Sequence, residues 1–229
     1  MVTPIFKLTR SNAMIKSPRA KSITIIITFI PLFIITSAPS LIGEWSQSVA
    51  FNWWYLLITS IVSISLLLMI CNVFGVQSLQ LRNKITWHQF LAAGLLTIIF
   101  LVAGVVLQNI PPFNSSQLDS DSATKIIQGS LRWPMIVALC ITGPICEELT
   151  FRGIVQNALR SFMPQTWAII TTSIVFSACH GIEPLKFLLF TAMAISFSLL
   201  NQIFGDIRTS ILSHMMYNMA MTIIAYFIL

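Results

Sequence analysis

The chain has 229 residues, of which 56% are hydrophobic and only 9% are charged, and its formal net charge is +6. Soluble domains carry about 25% charged residues, so this composition excludes an ordinary soluble protein and predicts an all-α, polytopic integral membrane protein. The basic residues form no patch interleaved with aromatic side chains. We therefore expect the lipid bilayer, and no nucleic acid, as a partner.

The first 21 residues form a basic leader that contains no acidic residue. Its charges are Lys7, Arg10, Lys16, Arg19 and Lys21. Positive charge that precedes a first span is typical of the cytoplasmic side of a membrane. We therefore predict a cytoplasmic leader at residues 1–21 and a transmembrane domain at residues 22–229.

Apolar runs follow the leader, and most are close to the roughly 20 residues that a helix needs to cross a bilayer. They predict a helical bundle with about seven transmembrane helices. The predicted spans are residues 22–42, 53–74, 88–107, 132–160, 165–181, 185–204 and 209–229. Prolines interrupt the chain between some of them, with Pro111 and Pro112 in the longest loop and Pro164 between the fourth and fifth spans.

The fourth span contains Glu147-Glu148-x-x-x-Arg152. Ionisable residues within a span are costly and usually functional. Glu148 and Arg152 have i, i+4 spacing with the acid first, so they can neutralise each other on one helix face. Glu147 points about 100° away and is a candidate general base. Pro144, just upstream, predicts a kink beside the site. A plain buried ion pair would explain Glu148 and Arg152 but not the second carboxylate.

Two histidine patterns lie in later spans. Phe176-x-x-x-His180 ends the fifth span, and His214-x-x-x-Asn218 lies in the seventh. A single histidine in an apolar helix is usually a hydrogen-bonded packing residue, but two histidines and an asparagine predict a shared polar cavity.

Two chemistries fit these residues. In the first, Glu147, His180 and His214 bind a divalent metal such as zinc and leave an open position for water. In the second, which needs no metal, Glu147 deprotonates water while His214 and Asn218 stabilise an oxyanion. Both predict hydrolysis of an amide bond within the bilayer, and the choice between them stays open.

The three patterns, in this order, resemble those of the CPBP family of CAAX proteases and bacteriocin-processing enzymes, also called the Abi family. The resemblance covers residues 132–225. It implies an intramembrane endopeptidase that hydrolyses a peptide bond of a membrane-associated or prenylated substrate. The residues to which it assigns this activity are Glu147, Glu148, Arg152, His180, His214 and Asn218.

The resemblance also implies a peptide or lipidated-protein substrate. The short chain and minimal loops favour a prokaryotic plasma membrane as its location. Because members of the family are linked to bacteriocin self-immunity, the alternative is a non-catalytic immunity protein that binds a peptide in the same cavity. A transporter would also need buried carboxylates, but the sequence lacks the repeats that are typical of transporters.

Overall fold

The computed structural model describes residues 48–73, 84–111, 129–161 and 163–228, together with Ile34, Ser37 and Ala38. These residues contain no β-strand, so the predicted all-α fold is confirmed. The predicted leader and nearly all of the predicted first span lie outside them. From residue 48 onward we number the helices α1 (Val49–Val73), α2 (Trp87–Gln108), α3 (Arg132–Leu159), α4 (Gln165–His180), α5 (Pro184–Phe204) and α6 (Ile207–Ile228).

Four of these helices, α1, α2, α3 and α5, are long and apolar enough to cross a membrane. They confirm a membrane bundle, whereas about seven spans were predicted. Helix α4 has only 16 residues, and at about 1.5 Å per residue it is shorter than the roughly 30 Å hydrocarbon core. Helix α6 has 22 residues, so its composition rather than its length separates it from the other four.

Helix α6 lies inside the bundle and packs against α2, α5 and α3. Its contact with α2 is made by polar side chains that bond to one another or to the main chain. Ser213 donates a hydrogen bond to the carbonyl of Ala93 over 3.3 Å, and Gln89 donates to the hydroxyl of Thr209 over 2.8 Å. Such partners are required where water is scarce. They hold the first half of α6, including His214, in the interior.

Helix α3 is not a regular α-helix. Two stretches, Ala138–Thr142 and Leu149–Val155, form π-helical turns on either side of the α-helical segment Gly143–Glu148. Pro144, which was expected to disturb the helix, lies two residues after the end of the first π-helical stretch. Such turns insert an extra residue into the hydrogen-bond register and occur often at functional sites. Here they flank the segment that carries both glutamates.

Gly153 allows α3 to approach α1 closely. A Cβ at this position would lie 2.9 Å from the Sγ atom of Cys71. Overpacking of this kind costs about 1–3 kcal/mol. We therefore expect Gly153→Ala to lower the melting temperature of the purified protein by roughly 2 to 12 °C in a thermal unfolding measurement.

Gly94→Ala is the matched control, because the nearest atom to its added Cβ would be Cε of Met216 at 3.9 Å. This control should be as stable as the parent. Adding Cys71→Ala to Gly153→Ala removes the clashing sulfur and should restore much of the loss. Equal stability of Gly153→Ala and Gly94→Ala would contradict the close approach.

Candidate active site

The carboxylate of Glu147 faces histidines from two other helices. Its Oε2 atom lies 3.5 Å from Nε2 of His180, the last residue of α4, and 3.8 Å from Nε2 of His214 in α6. This oxygen is buried and makes no hydrogen bond to any described residue. Both distances exceed the roughly 2.7–3.2 Å of a direct N–H···O bond, so a bridging water is the natural partner for all three atoms.

The other nitrogen of each imidazole is held by a partner that orients the ring. Nδ1 of His180 lies 2.8 Å from the carbonyl oxygen of Phe176, one turn earlier in α4. Because a carbonyl only accepts, this Nδ1 carries the hydrogen. Nδ1 of His214 lies 3.1 Å from Oε1 of Glu148 and likewise donates to it. Both rings therefore present Nε2 to Glu147.

Glu148 joins Arg152 to His214. Its Oε1 atom also accepts a 2.9 Å hydrogen bond from Nη1 of Arg152, and both side chains are fully buried. Nη2 of Arg152 donates to the carbonyl of Ala194 in α5 over 3.0 Å. The ion pair expected from the i, i+4 spacing is therefore present. The contact between Glu148 and His214 was not expected, because it depends on how α6 packs against α3.

Aromatic rings from α4 and α5 enclose the guanidinium and one imidazole. The guanidinium carbon of Arg152 lies 4.6 Å from the ring centre of Phe176 and 5.5 Å from that of Phe197. Phe197 also stacks on His214, with ring centres 5.2 Å apart. These rings exclude water, which strengthens the charge interactions they surround. Sequence reasoning missed Phe197, since a phenylalanine in an apolar helix carries no signal of its own.

The site is open on one side, next to His180. The side chains of His180 and Glu147 are 31% and 24% exposed, whereas that of His214 is only 4% exposed. After His180 the chain turns through Gly181, whose φ of 126° favours glycine. Ile182 follows and is 82% exposed. The carboxylate of Glu147 is therefore accessible from this side.

Asn218 lies one turn beyond His214, but its amide is directed at the main chain. Nδ2 donates a 2.8 Å hydrogen bond to the carbonyl oxygen of Leu139 in α3. The sequence suggested Asn218 as a group that stabilises an oxyanion beside Glu147. The structure gives its amide a different partner, two turns before Glu147 on the same helix.

The metal site predicted from the sequence would use Glu147, His180 and His214. Zinc sites need ligand atoms at about 2.0–2.2 Å from a shared metal position. The described residues contain no group of three or more histidine, cysteine, aspartate or glutamate side chains that could hold a metal ion. Metal binding by Glu147, His180 and His214 therefore stays a prediction.

The comparison with protein families covers the part of the chain that contains this site. Residues 129–220 match the family described as type II CAAX prenyl endopeptidase Rce1-like. Over 84 residues, 37% of this chain, the sequence is 34% identical to a Bacillus subtilis (strain 168) protein named "Putative membrane peptidase YdiL". The match spans 34% of that relative's length. No solved structure is significantly similar to the chain.

The family resemblance drawn from the three motifs is therefore confirmed over residues 129–220. This segment begins just before α3 and reaches into α6, and it includes every residue predicted for the site.

Proposed function

From the CAAX-protease-like segment at residues 129–220, we propose that this chain is an intramembrane endopeptidase in which Glu147 activates water. One observation carries the proposal. Oε2 of Glu147, which has no hydrogen-bond partner among the described residues, lies 3.5 and 3.8 Å from Nε2 of His180 and of His214. Each ring is held in place by a contact of its Nδ1 atom. A water molecule held among these three atoms can give its proton to Glu147 as it attacks a peptide carbonyl.

Charge balance supports a role for one imidazole as a hydrogen-bond donor. Glu147, Glu148 and Arg152 are two carboxylates and one guanidinium, so one negative charge is uncompensated when both imidazoles are neutral. Uncompensated charge is expensive at this depth. A single proton shared by the imidazoles neutralises the group. Both rings are held at Nδ1 and turn Nε2 toward Glu147, so either can offer this proton to the reacting atoms.

The reaction then uses only groups of this chain. Glu147 takes the water proton, and the hydroxide oxygen bonds to the carbonyl carbon. Nε2 of His214 faces the oxygen that becomes negative, and with the shared proton it donates a hydrogen bond that is worth more in this water-poor surrounding than in solvent. When the carbon–nitrogen bond breaks, protonated Glu147 returns its proton to the leaving amine. His180, at the open side, orients the attacking water through Nε2.

The substrate we propose is a membrane-associated peptide or a lipidated protein in a prokaryotic plasma membrane. Ile182, two residues after His180 at the open side, is an exposed apolar side chain, which suits a chain that enters from the bilayer. A lipid anchor on the substrate would supply binding energy of about 0.8 kcal/mol per buried methylene. It would also keep the scissile bond near the depth of Glu147.

The experiment uses the purified full chain in phospholipid vesicles, with prenylated CAAX peptides and the same peptides without the lipid. Mass spectrometry identifies the products. We expect cleavage at one bond, faster for the lipidated peptides, and equal rates with and without a strong chelator.

Loss of cleavage with the chelator and its recovery with zinc would contradict metal-free chemistry and favour the metal alternative. Tight binding of a peptide without any cleavage would contradict the peptidase proposal and favour a non-catalytic immunity protein.

A further inference from the structure

We propose that Asn218 is a positioning residue: it satisfies a main-chain carbonyl of α3 that Pro144 leaves without a helical donor, and it thereby fixes the distance between His214 and Glu147. The effect on catalysis rests on the proposed function. The contact itself does not.

The carbonyl in question belongs to Leu139, in the first π-helical stretch of α3. In a regular α-helix this carbonyl would accept from the N–H of residue 143, and in a π-helical register from that of residue 144. The N–H of Gly143 is already used, because it donates to Ala138. Residue 144 is proline and has no N–H. Neither register therefore supplies a donor to Leu139.

Gly143 makes this arrangement possible. The carbonyl oxygen of Ala138 lies so close that a Cβ on residue 143 would be only 2.8 Å from it. The Gly143-Pro144 pair therefore produces the π-helical stretch and leaves the carbonyl of Leu139 without a donor. Asn218 supplies the missing hydrogen from α6 over 2.8 Å.

Asn218 is also the middle member of a polar row on α6. Its neighbours at i−4 and i+4 contact α3 as well, through a 3.1 Å imidazole–carboxylate contact and a 3.3 Å hydroxyl–thiol contact. The row joins His214 to Glu148, Asn218 to Leu139 and Thr222 to Cys140.

Residues with this spacing share one helix face. The row therefore sets the register of α6 along α3. A shift of α6 would move Nε2 of His214 away from Oε2 of Glu147.

The test is a double-variant comparison of Asn218→Leu in two backgrounds. In the parent, the leucine leaves the carbonyl of Leu139 without a partner. We expect kcat to fall about 100-fold through misplacement of His214, with little change in KM. We also expect the melting temperature to fall by roughly 2 to 12 °C.

In a Pro144→Ala background, residue 144 regains the N–H that the π register requires. The same Asn218→Leu change should therefore have a much smaller effect on both kcat and the melting temperature.

Asn157→Leu is the matched control. Asn157 also donates its amide to a main-chain carbonyl, that of Gly153 over 3.1 Å, but within its own helix. Its loss should leave kcat unchanged. An equal loss of kcat on Asn218→Leu in both backgrounds would overturn the proposal and make Asn218 a group that touches the reacting atoms. An Asn218→Leu variant as stable and active as the parent would overturn it too.

Thermal stability separates this inference from the proposed function. If no peptide is cleaved by any variant, the protease proposal fails. Rescue of the stability of Asn218→Leu by Pro144→Ala would still support the positioning role. Absence of that rescue would overturn the role, whatever the activity of the parent.

Discussion

Replacing Glu147 with glutamine is expected to lower kcat/KM for peptide cleavage by roughly 100- to 10,000-fold, the usual contribution of a general base. The amide keeps the size of the side chain but cannot take a proton from water. Because Glu147 Oε2 makes no hydrogen bond to any described residue, the change removes only its longer contacts of 3.5 and 3.8 Å with the two imidazoles. The melting temperature should therefore stay close to that of the parent.

Glu183→Gln is the control for loss of a carboxylate near the open side of the site. Glu183 precedes α5 and pairs with Lys186 over 3.5 Å, so its substitution should leave cleavage nearly unchanged. Retained activity in Glu147→Gln would remove Glu147 from the reaction. A biological effect that survives in Glu147→Gln would mean that the protein acts by binding a peptide.

Replacing Arg152 with methionine is expected to have the largest effect on stability, a loss of about 3–5 kcal/mol in the free energy of unfolding. The guanidinium is the partner of Glu148, and both side chains are fully buried. Methionine leaves that carboxylate without its cation in a surrounding where water cannot replace it. Chemical unfolding in mixed micelles, monitored by circular dichroism, measures the loss.

The double variant Glu148→Gln with Arg152→Met removes both charges together and should recover much of the lost stability. It should not recover cleavage, because a glutamine oxygen can still accept from Nδ1 of His214 but gives the imidazole no negative charge. Lys186→Met is the control for a partly exposed ion pair, and it should cost less than about 1 kcal/mol. An Arg152→Met protein as stable as Lys186→Met would show that the buried pair does not hold the bundle together.

Contacts within one helix could be predicted because helix geometry fixes them locally. The pairing of Glu148 with Arg152 follows from i, i+4 spacing, and it is present at 2.9 Å. The histidine patterns identified the side chains that meet at Glu147. The same spacing said nothing reliable about Asn218, whose partner Leu139 lies 79 residues away in the sequence. It could not reveal Phe197 either, which belongs to no pattern.

Composition and the spacing of ionisable residues thus determined the membrane class, the all-α fold and the set of candidate side chains. Only the tertiary structure decided that His214 lies between the two carboxylates and that Asn218 serves the main chain of α3. The reason is physical. Hydropathy and helical periodicity are properties of one segment, whereas these contacts depend on the register of α6 against α3. That register is set by the π-helical turns and polar contacts between helices far apart in the sequence.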